Sequence, residues 1–334
     1  MGMLVDGKWE KKPLVDHEDD GAFDRDPSVL RNWVTADGSP GPTGDGGYAA
    51  ERGRYHLYVS YACPWAHRTL IFRKIKKLED IIGLSVVHWH MGENGWTFED
   101  GPGVVPDPIN NADFLHQVYT ASEPDYTGKV TVPVLWDRET GRIVSNESAD
   151  IIRMMNSAFD EVGAAPGDYY PEGLRDEIDQ VNDCVYETVN NGVYKTGFAS
   201  SQEAYEDAVY PLFETLDGLD ARLAKNRYLM GDRVTEADWR LLTTLFRFDA
   251  VYYSHFKCNL RRLIDYPNLW PYTRDLYQHD GVSTTVHLDH IKGHYYTSQP
   301  QVDPTGVVPA GPLIDFTAPA RRDKVSRAKA EALY

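Results

Sequence analysis

Strand and helix patterns alternate between residues 55 and 155 of this chain, and helix patterns alone follow after Gly173. Aromatic and β-branched residues in YHLYVSY (residues 55–61) predict a strand. Pro64 suits the first position of the next helix, where its missing N–H is not needed. LSVVHWH (residues 84–90) predicts a second strand, so the first three elements form a β-α-β unit.

The segment TVPVLWDRETGRIVSNESADIIRMM continues this pattern over residues 131–155. It predicts two short strands joined at residues 139–141, and then a helix. In the preceding helix, Ile71, Ile75 and Leu78 follow the i, i+4, i+7 spacing of one buried face. The order of elements is therefore β-α-β followed by β-β-α.

The second half of the chain has only helix signals. The segment at residues 203–223 repeats apolar residues from Tyr205 to Leu223 at helical spacing, which predicts a stripe facing a core. In VTEADWRLLTTLF, Thr235 and Asp238 form the pattern of a helix-capping box. Residues 1–53 are rich in Gly, Pro and Asp with little apolar periodicity, so we expect an extended arm there.

Charge and apolar content exclude several classes of partner. The chain has 34 basic and 51 acidic residues, for a net charge of −17, which disfavours binding to nucleic acid or to an anionic membrane. No stretch approaches the roughly 18 apolar residues of a membrane span, and the N-terminus lacks a secretory signal, so we expect a cytoplasmic protein. The acid excess suits a salt-rich cytoplasm but also an ordinary acidic enzyme.

Cys63, in YVSYACPWAHRTLIF, is placed at the predicted strand-to-helix junction. A thiol at a helix N-terminus is near unpaired N–H groups and the positive end of the dipole, which favour the nucleophilic thiolate. His67 and Arg68 in the same first turn can add positive charge. The alternative is a small buried cysteine at a turn.

The motifs CPWAHR, TVPVLWD and NESADIIR together resemble the glutathione transferase superfamily. The best match is its Xi or omega-like branch, the glutathionyl-hydroquinone reductases, and it extends to NNGVYKTGFA, RFDAVYYSHFKCN, DHIKGHYY and PTGVVPAGP. The resemblance implies an α/β plus all-α protein with a thioredoxin-like domain before an all-helical domain. We place the arm at 1–53, the thiol-binding domain at 54–165, the acceptor-binding domain at 170–300 and a tail at 301–334.

The resemblance also indicates how Cys63 works. Dithiol oxidoreductases carry a second cysteine three residues on, but Ala66 stands there, so the resolving thiol must come from outside. Cys184 follows the buried period of a predicted helix and is expected to be structural. Cys258 is expected to pack rather than react.

The thiol co-substrate is expected to be glutathione or a related thiol such as γ-glutamylcysteine. Pro133 resembles the cis-proline of the fold, which turns Val132 outward to pair with an extended peptide-like ligand. Glu147 and Ser148 begin the next predicted helix, where N–H groups and the hydroxyl suit the γ-glutamyl carboxylate and the Glu147 carboxylate suits its ammonium. Ordinary helix capping is the alternative.

Two more residues are assigned to the thiol site by resemblance. Trp96, expected to be an exposed loop aromatic, resembles the tryptophan that covers the bound thiol. Lys129 stands where relatives carry arginine, a change that keeps the charge and loses the bidentate fork. If Lys129 binds the distal carboxylate of glutathione more weakly than arginine does, γ-glutamylcysteine, which lacks that carboxylate, can also serve as co-substrate.

The acceptor site is expected to be lined by phenols. Tyr194, Tyr252 and Tyr295 match that role by resemblance, since a phenol stacks on an aromatic substrate and donates to a quinol oxygen. His287, His290 and His294 in HLDHIKGH have metal-ligand spacing on one helical face. We nevertheless expect no metal, because no His-Glu-x-x-His motif accompanies them.

These observations predict a reductase that removes glutathione from S-glutathionyl-hydroquinones through a Cys63 mixed disulfide. Its partners would be a small thiol and an aromatic quinol, and the resemblance implies a homodimer. One alternative is a transferase that conjugates glutathione to electrophiles. The other is a non-catalytic binding module that keeps the fold as a scaffold.

Overall fold

A computed structural model describes residues 2–12, 20–323 and 325, which divide into two compact units. The first unit contains residues 2–12, 26–167 and 287–299. The second unit contains residues 20–25, 168–286, 300–323 and 325. The predicted arm and tail also include residues 1, 13–19, 324 and 326–334, which lie outside the described residues.

The chain begins with a hairpin where the sequence predicts an extended arm. Strands β1 (Gly2–Val5) and β2 (Lys8–Lys11) pair antiparallel. Asp6 and Gly7 between them have φ of 46° and 72°, the left-handed conformation that an Asp-Gly two-residue turn provides. Leu4 is fully buried, and its N–H and C=O bond to the backbone of Gly128. The expectation of an arm is wrong here, because the Asp-Gly turn folds these ten residues locally.

A four-stranded mixed sheet forms the centre of the first unit. Its strands in chain order are β3 (Tyr55–Val59), β4 (Gly83–Val86), β5 (Val134–Asp137) and β6 (Arg142–Ser145). Their spatial order is β4-β3-β5-β6, with β3 and β4 parallel and the other pairs antiparallel. This confirms the predicted thioredoxin-like domain. The strand predicted at 84–90 ends at Val86, because His88 N–H bonds to Thr97 instead of continuing along the sheet.

Three helices of the first unit accompany this sheet: α1 (Pro64–Ile75), α2 (Leu115–Ser122) and α3 (Ser148–Ser157). Helix α1 begins at Pro64 as predicted, and it packs against α3. Ile71 and Leu78 are buried, whereas Ile75 is half-buried. The sheet and these helices therefore bring the end of β3, the start of β5 and the start of α3 into one unit.

The second unit is helical, which confirms the predicted fold class. Its helices are α4 (Arg175–Val185), α5 (Gly192–Phe198), α6 (Gln202–Leu223), α7 (Glu236–Arg247) and α8 (Leu269–Tyr277). The apolar stripe of α6 is buried from Val209 to Leu223, and Tyr205 is half-buried. Wider π-helical turns follow α4 and α7. No helix in the described ranges is long and apolar enough to cross a membrane.

The predicted capping box opens α7. The Thr235 N–H and hydroxyl donate to Asp238 Oδ2 at 2.8 and 3.1 Å. Asp238 Oδ1 accepts from the Leu229 N–H and the Tyr272 hydroxyl, both at 2.9 Å. Burial raises the pKa of Asp238, and these four hydrogen bonds oppose that rise by stabilising the carboxylate. The box thus joins three segments of the second unit.

The last helix, α9 (Leu288–Ser298), packs in the first unit although it follows the second unit in sequence. His290 Nε2 lies 2.7 Å from the Pro102 carbonyl, and the Met91 N–H donates to Ser298 Oγ at 3.0 Å. The acceptor-binding domain predicted at 170–300 therefore includes residues 287–299, which belong to the first unit in the structure.

Acid should destabilise the first unit through His56 of β3. The side chain is 2% exposed, and Nε2 lies 2.8 Å from Ser85 Oγ. The Ser85 hydroxyl donates to the Pro106 carbonyl, so Nε2 carries the proton of a neutral ring. Burial, together with the Arg138 charge, lowers the pKa of His56 to about 4.

A depressed histidine pKa gives stability that is present above about pH 6.5 and is lost as pH falls towards 4. Between pH 7 and pH 4.5, the free energy of unfolding should fall by roughly 2 to 3 kcal/mol more in the wild-type chain than in His56→Gln. Urea unfolding at both values measures this difference. Parallel losses in the two proteins would contradict it.

Candidate active site

Cys63 lies at the N-terminal end of α1. It is the N-cap residue, with extended φ and ψ of −76° and 123°, and its carbonyl accepts the His67 N–H at 3.0 Å. The side chain is half-buried, and Sγ donates to the Val132 carbonyl at 3.5 Å. The structure therefore places this thiol at the N-terminal end of α1, the end of a helix whose dipole favours an anion.

The Val132-Pro133 peptide is cis, as predicted from the fold resemblance. It immediately precedes β5, and Val132 is 5% exposed. The Val132 carbonyl is the acceptor for the Cys63 thiol. Cys63, Val132 and Pro133 are therefore brought together, although Cys63 and Val132 are 69 positions apart in the sequence.

Glu147 and Ser148 form the N-terminus of α3. The Glu147 carboxylate accepts the Ala149 N–H at 2.9 Å and lies 3.4 Å from Ser148 Oγ. The capping alternative is therefore present in the structure. Arg68 Nη1 donates to Ser148 Oγ at 3.3 Å, and Arg68 is 1% exposed. A buried guanidinium thus adds positive charge beside the predicted anion site.

Sequence reasoning missed this placement of Arg68. The residue was expected to add charge near Cys63 from the first turn of α1. Its guanidinium lies 4.6 Å from the Trp65 ring centroid and also reaches α3. The CPWAHR motif contains the residue, but the packing of α1 on α3 decides which group it serves.

Trp96 is buried rather than exposed. The side chain is 7% exposed, and its ring stacks on His294 with centroids 4.8 Å apart and planes at 26°. The expectation of an exposed loop aromatic is wrong, because the sequence does not indicate that α9 packs on this loop. Its role over a bound thiol stays a prediction.

Lys129 forms an ion pair with Asp26 at 2.8 Å. Their side chains are 40% and 69% exposed. Exposed pairs of this kind contribute little stability, typically below about 1 kcal/mol. Lys129 is therefore available to exchange Asp26 for a ligand carboxylate at small energetic cost.

Two of the three predicted phenols lie together in the second unit. The Tyr194 and Tyr252 rings are 6.0 Å apart, and Phe256 lies 5.5 Å from Tyr194 and 5.6 Å from Tyr252. Tyr194 is 8% exposed and Tyr252 is fully buried. Tyr252 ends the π-helical turn Phe248–Tyr252, a wider turn of the kind often found at functional sites. Tyr194 thus offers the more accessible edge.

Tyr295 belongs to α9 in the first unit and is 1% exposed. It lies beside His294, with ring centroids 5.4 Å apart. The structure therefore places this phenol on the same helix as the histidine that contacts Trp96. Its role towards an acceptor stays a prediction.

Of the three histidines of HLDHIKGH, His287 and His290 both contact the Tyr61 ring and have centroids 6.0 Å apart. His287 stacks on Tyr61 at 3.7 Å, and His294 Nδ1 lies 2.9 Å from the Trp89 carbonyl. His290 contacts the loop at Pro102. Among the residues that the structure describes, no three His, Cys, Asp or Glu side chains are arranged to hold a metal ion.

The other cysteines differ in burial. Cys258 is fully buried, and burial raises the pKa of its thiol, which disfavours the reactive thiolate. Cys184 on α4 is half-buried, although Val181 and Val185 on the same helix are buried as predicted. The prediction that Cys184 itself points into the core is therefore only partly met.

Two family models match the chain. The glutathione S-transferase N-terminal domain matches residues 62–158, and the glutathione S-transferase C-terminal domain matches residues 202–275. Helix α9 lies outside both matched ranges.

Named relatives match nearly the whole chain. Glutathionyl-hydroquinone reductase YqjG of Escherichia coli K12 is 55% identical over 324 residues, covering 97% of this chain and 99% of that protein. Glutathionyl-hydroquinone reductase PcpF of Sphingobium chlorophenolicum is 55% identical over 312 residues, covering 93% and 96%.

Solved structures agree with these matches. The glutathione-bound structure of Escherichia coli YqjG has a TM-score of 0.90 and 53% identity, covering 97% of this chain and 99% of that one. The Xi-class glutathione transferase of Natrialba magadii has a TM-score of 0.89 and 48% identity, covering 98% of each chain.

Proposed function

This chain belongs to the glutathione transferase superfamily, in the branch of the Xi class and the glutathionyl-hydroquinone reductases, and we propose that it reduces S-glutathionyl-hydroquinones with glutathione as co-substrate. The position of Cys63 carries this proposal. Its thiol lies at the N-terminus of α1, 3.5 Å from the Val132 carbonyl. Ala66 occupies the place of a resolving cysteine, so the second thiol comes from the co-substrate.

The reaction then takes two steps. The Cys63 thiolate attacks the sulfur of the thioether, the sulfur–carbon bond breaks, and a tyrosine supplies the proton that completes the released hydroquinone. The sulfurs are oxidised to a Cys63–glutathione disulfide while the aryl carbon is reduced. A second glutathione thiolate attacks the glutathionyl sulfur, which releases oxidised glutathione and restores the Cys63 thiolate.

The start of α3 supports the binding of the γ-glutamyl end of glutathione. Its N–H groups and the Ser148 hydroxyl suit a carboxylate, and buried Arg68 adds a positive charge 3.3 Å from that hydroxyl. We assign Glu147 to the ligand ammonium in addition to its own helix cap. Lys129 would bind the distal carboxylate by leaving the exposed Asp26 pair.

The phenols are assigned to the aromatic half of the substrate. We assign Tyr194, which is slightly more accessible than Tyr252, to contact with the acceptor ring, and Tyr252 supports it from the same aromatic cluster. We assign Tyr295 to proton donation or to contact with the quinol oxygen, as the family resemblance implies. A homodimer and a cytoplasmic location stay predictions from the same resemblance.

A comparison of two reactions tests the function. Purified protein should reduce a glutathionyl-hydroquinone with glutathione at least roughly a hundredfold faster than it conjugates glutathione to an electrophile, because a cysteine forms the mixed disulfide instead of activating a second thiol. Parallel assays with γ-glutamylcysteine show whether the distal carboxylate is needed. Faster conjugation than reduction would favour the transferase alternative, and a chain that does neither would favour the binding module.

A further inference from the structure

Helix α9 belongs to the first unit and lies outside the residues that the family models cover. It begins at Leu288, beyond the matched residues 202–275, yet it belongs to the unit that contains Cys63. Its backbone lies close to Trp89, since a Cβ on Gly293 would come within 2.9 Å of that ring. The helix is therefore closely packed on the loop that leads from β4 to Trp96.

His294 fixes one side of Trp96. The two rings are stacked, with centroids 4.8 Å apart. His294 Nδ1 lies 2.9 Å from the Trp89 carbonyl, an acceptor, so Nδ1 carries the hydrogen and donates it. That hydrogen bond sets the orientation of the imidazole and, through the stack, limits where the Trp96 ring can lie.

His287 makes a similar contact near Cys63. It stacks on Tyr61, two residues before Cys63, with centroids 3.7 Å apart and planes at 12°. Seven residues of helix separate His287 from His294, a rise of about 10 Å. Three extended residues span a similar length of about 10 Å. Helix α9 and its N-cap residue His287 thus contact Trp96 and Tyr61 at points separated by about the length of an extended tripeptide.

We propose that α9 completes the thiol-binding half-site, with His294 as the positioning residue for Trp96 and His287 as the positioning residue for Tyr61. The inference rests on the proposed function, because Trp96 is assigned there to cover the bound thiol. It adds to this site a helix and two histidines that lie outside the matched family domains. Neither histidine needs to touch the reacting atoms.

A double-mutant cycle on glutathione binding tests the role of His294. Loss of an aromatic stack that orders a binding residue should weaken binding about five- to tenfold, so His294→Ala should raise the glutathione Kd by that factor. In a Trp96→Leu background the same substitution should change Kd less than about twofold, since the aromatic ring it acts through is gone. Calorimetric titration gives all four Kd values.

Two control variants separate positioning from general stability. His294→Phe keeps a ring on Trp96 but cannot donate to Trp89, and should fall between wild type and His294→Ala. His116 stacks on Trp9 at the same 4.8 Å, so His116→Ala removes a comparable stack and should leave Kd within about twofold of wild type. The melting temperatures of His294→Ala and His116→Ala should be similar.

The outcomes distinguish the two proposals. The role of His294 would be overturned if His294→Ala weakened glutathione binding equally in the presence and absence of Trp96. It would also be overturned if a folded His294→Ala variant bound glutathione as tightly as wild type. The proposed function alone would be overturned if the chain bound glutathione and gave the expected double-mutant cycle but did not reduce glutathionyl-hydroquinones. A wild-type chain that binds neither glutathione nor γ-glutamylcysteine would overturn both.

Discussion

Replacement of Cys63 by serine is expected to abolish the reduction of a glutathionyl-hydroquinone, with a fall in kcat of roughly 10³-fold or more. A hydroxyl in the same position cannot form the mixed disulfide that both steps pass through. The N-terminus of α1 and the Val132 carbonyl would remain in place, so the protein should stay folded and still bind glutathione. Steady-state kinetics and a glutathione titration measure the two properties separately.

Cys184 provides the matched control for this variant. It is half-buried like Cys63 but lies on α4 in the second unit, so Cys184→Ser should keep nearly full activity. After treatment with oxidised glutathione, intact mass should show one glutathione adduct on wild type and Cys184→Ser and none on Cys63→Ser. Retained turnover by Cys63→Ser, or an adduct on Cys184 alone, would refute the assignment of Cys63.

Asp238→Ala is expected to lower the free energy of unfolding by about 3 to 5 kcal/mol. The side chain is fully buried and accepts four hydrogen bonds, from Leu229, Thr235 and Tyr272. Alanine would leave buried donors without partners, and each such group costs roughly 1 to 3 kcal/mol. Urea unfolding of wild type and variant, followed by far-UV circular dichroism, measures the loss.

Asp238→Asn and Ser201→Ala are the controls. The asparagine amide keeps one acceptor oxygen, but its NH₂ group would face a backbone N–H that donates to the second carboxylate oxygen in wild type. The loss of stability should therefore be intermediate. Ser201 is half-buried and caps α6 by accepting the Ala204 N–H at 3.1 Å, and its loss should cost about 1 kcal/mol. An Asp238→Ala loss no larger than that of Ser201→Ala would show that the buried network adds nothing to an ordinary cap.

Local patterns predicted the elements that depend on nearby residues. The strand before Cys63, the helix start at Pro64, the hairpin at residues 139–141 and the capping box were all readable from turn and cap residues a few positions apart. The N-terminal hairpin was readable too, from Asp6-Gly7, and was missed because its strands have only four residues each.

Motif resemblance predicted the thiol-binding residues, and the structure places Cys63, Val132 and Pro133 together. It could not predict the neighbours of those residues. The contact of Arg68 with Ser148 depends on how α1 packs against α3. The burial of Trp96 depends on a helix about 200 residues later in the chain.

Residue type and short spacing were enough to predict the order of strands and helices and the cysteine at a helix N-terminus. Composition gives the acidic net charge, and the family resemblance supplied the cis-proline. That α9 joins the thiol-binding unit, and that the histidines of HLDHIKGH meet Tyr61, Pro102 and Trp89, depends on packing between distant segments. Helical spacing places side chains on one face, but it does not encode which distant surface that face meets. That choice depends on close packing of side chains from segments far apart in the chain.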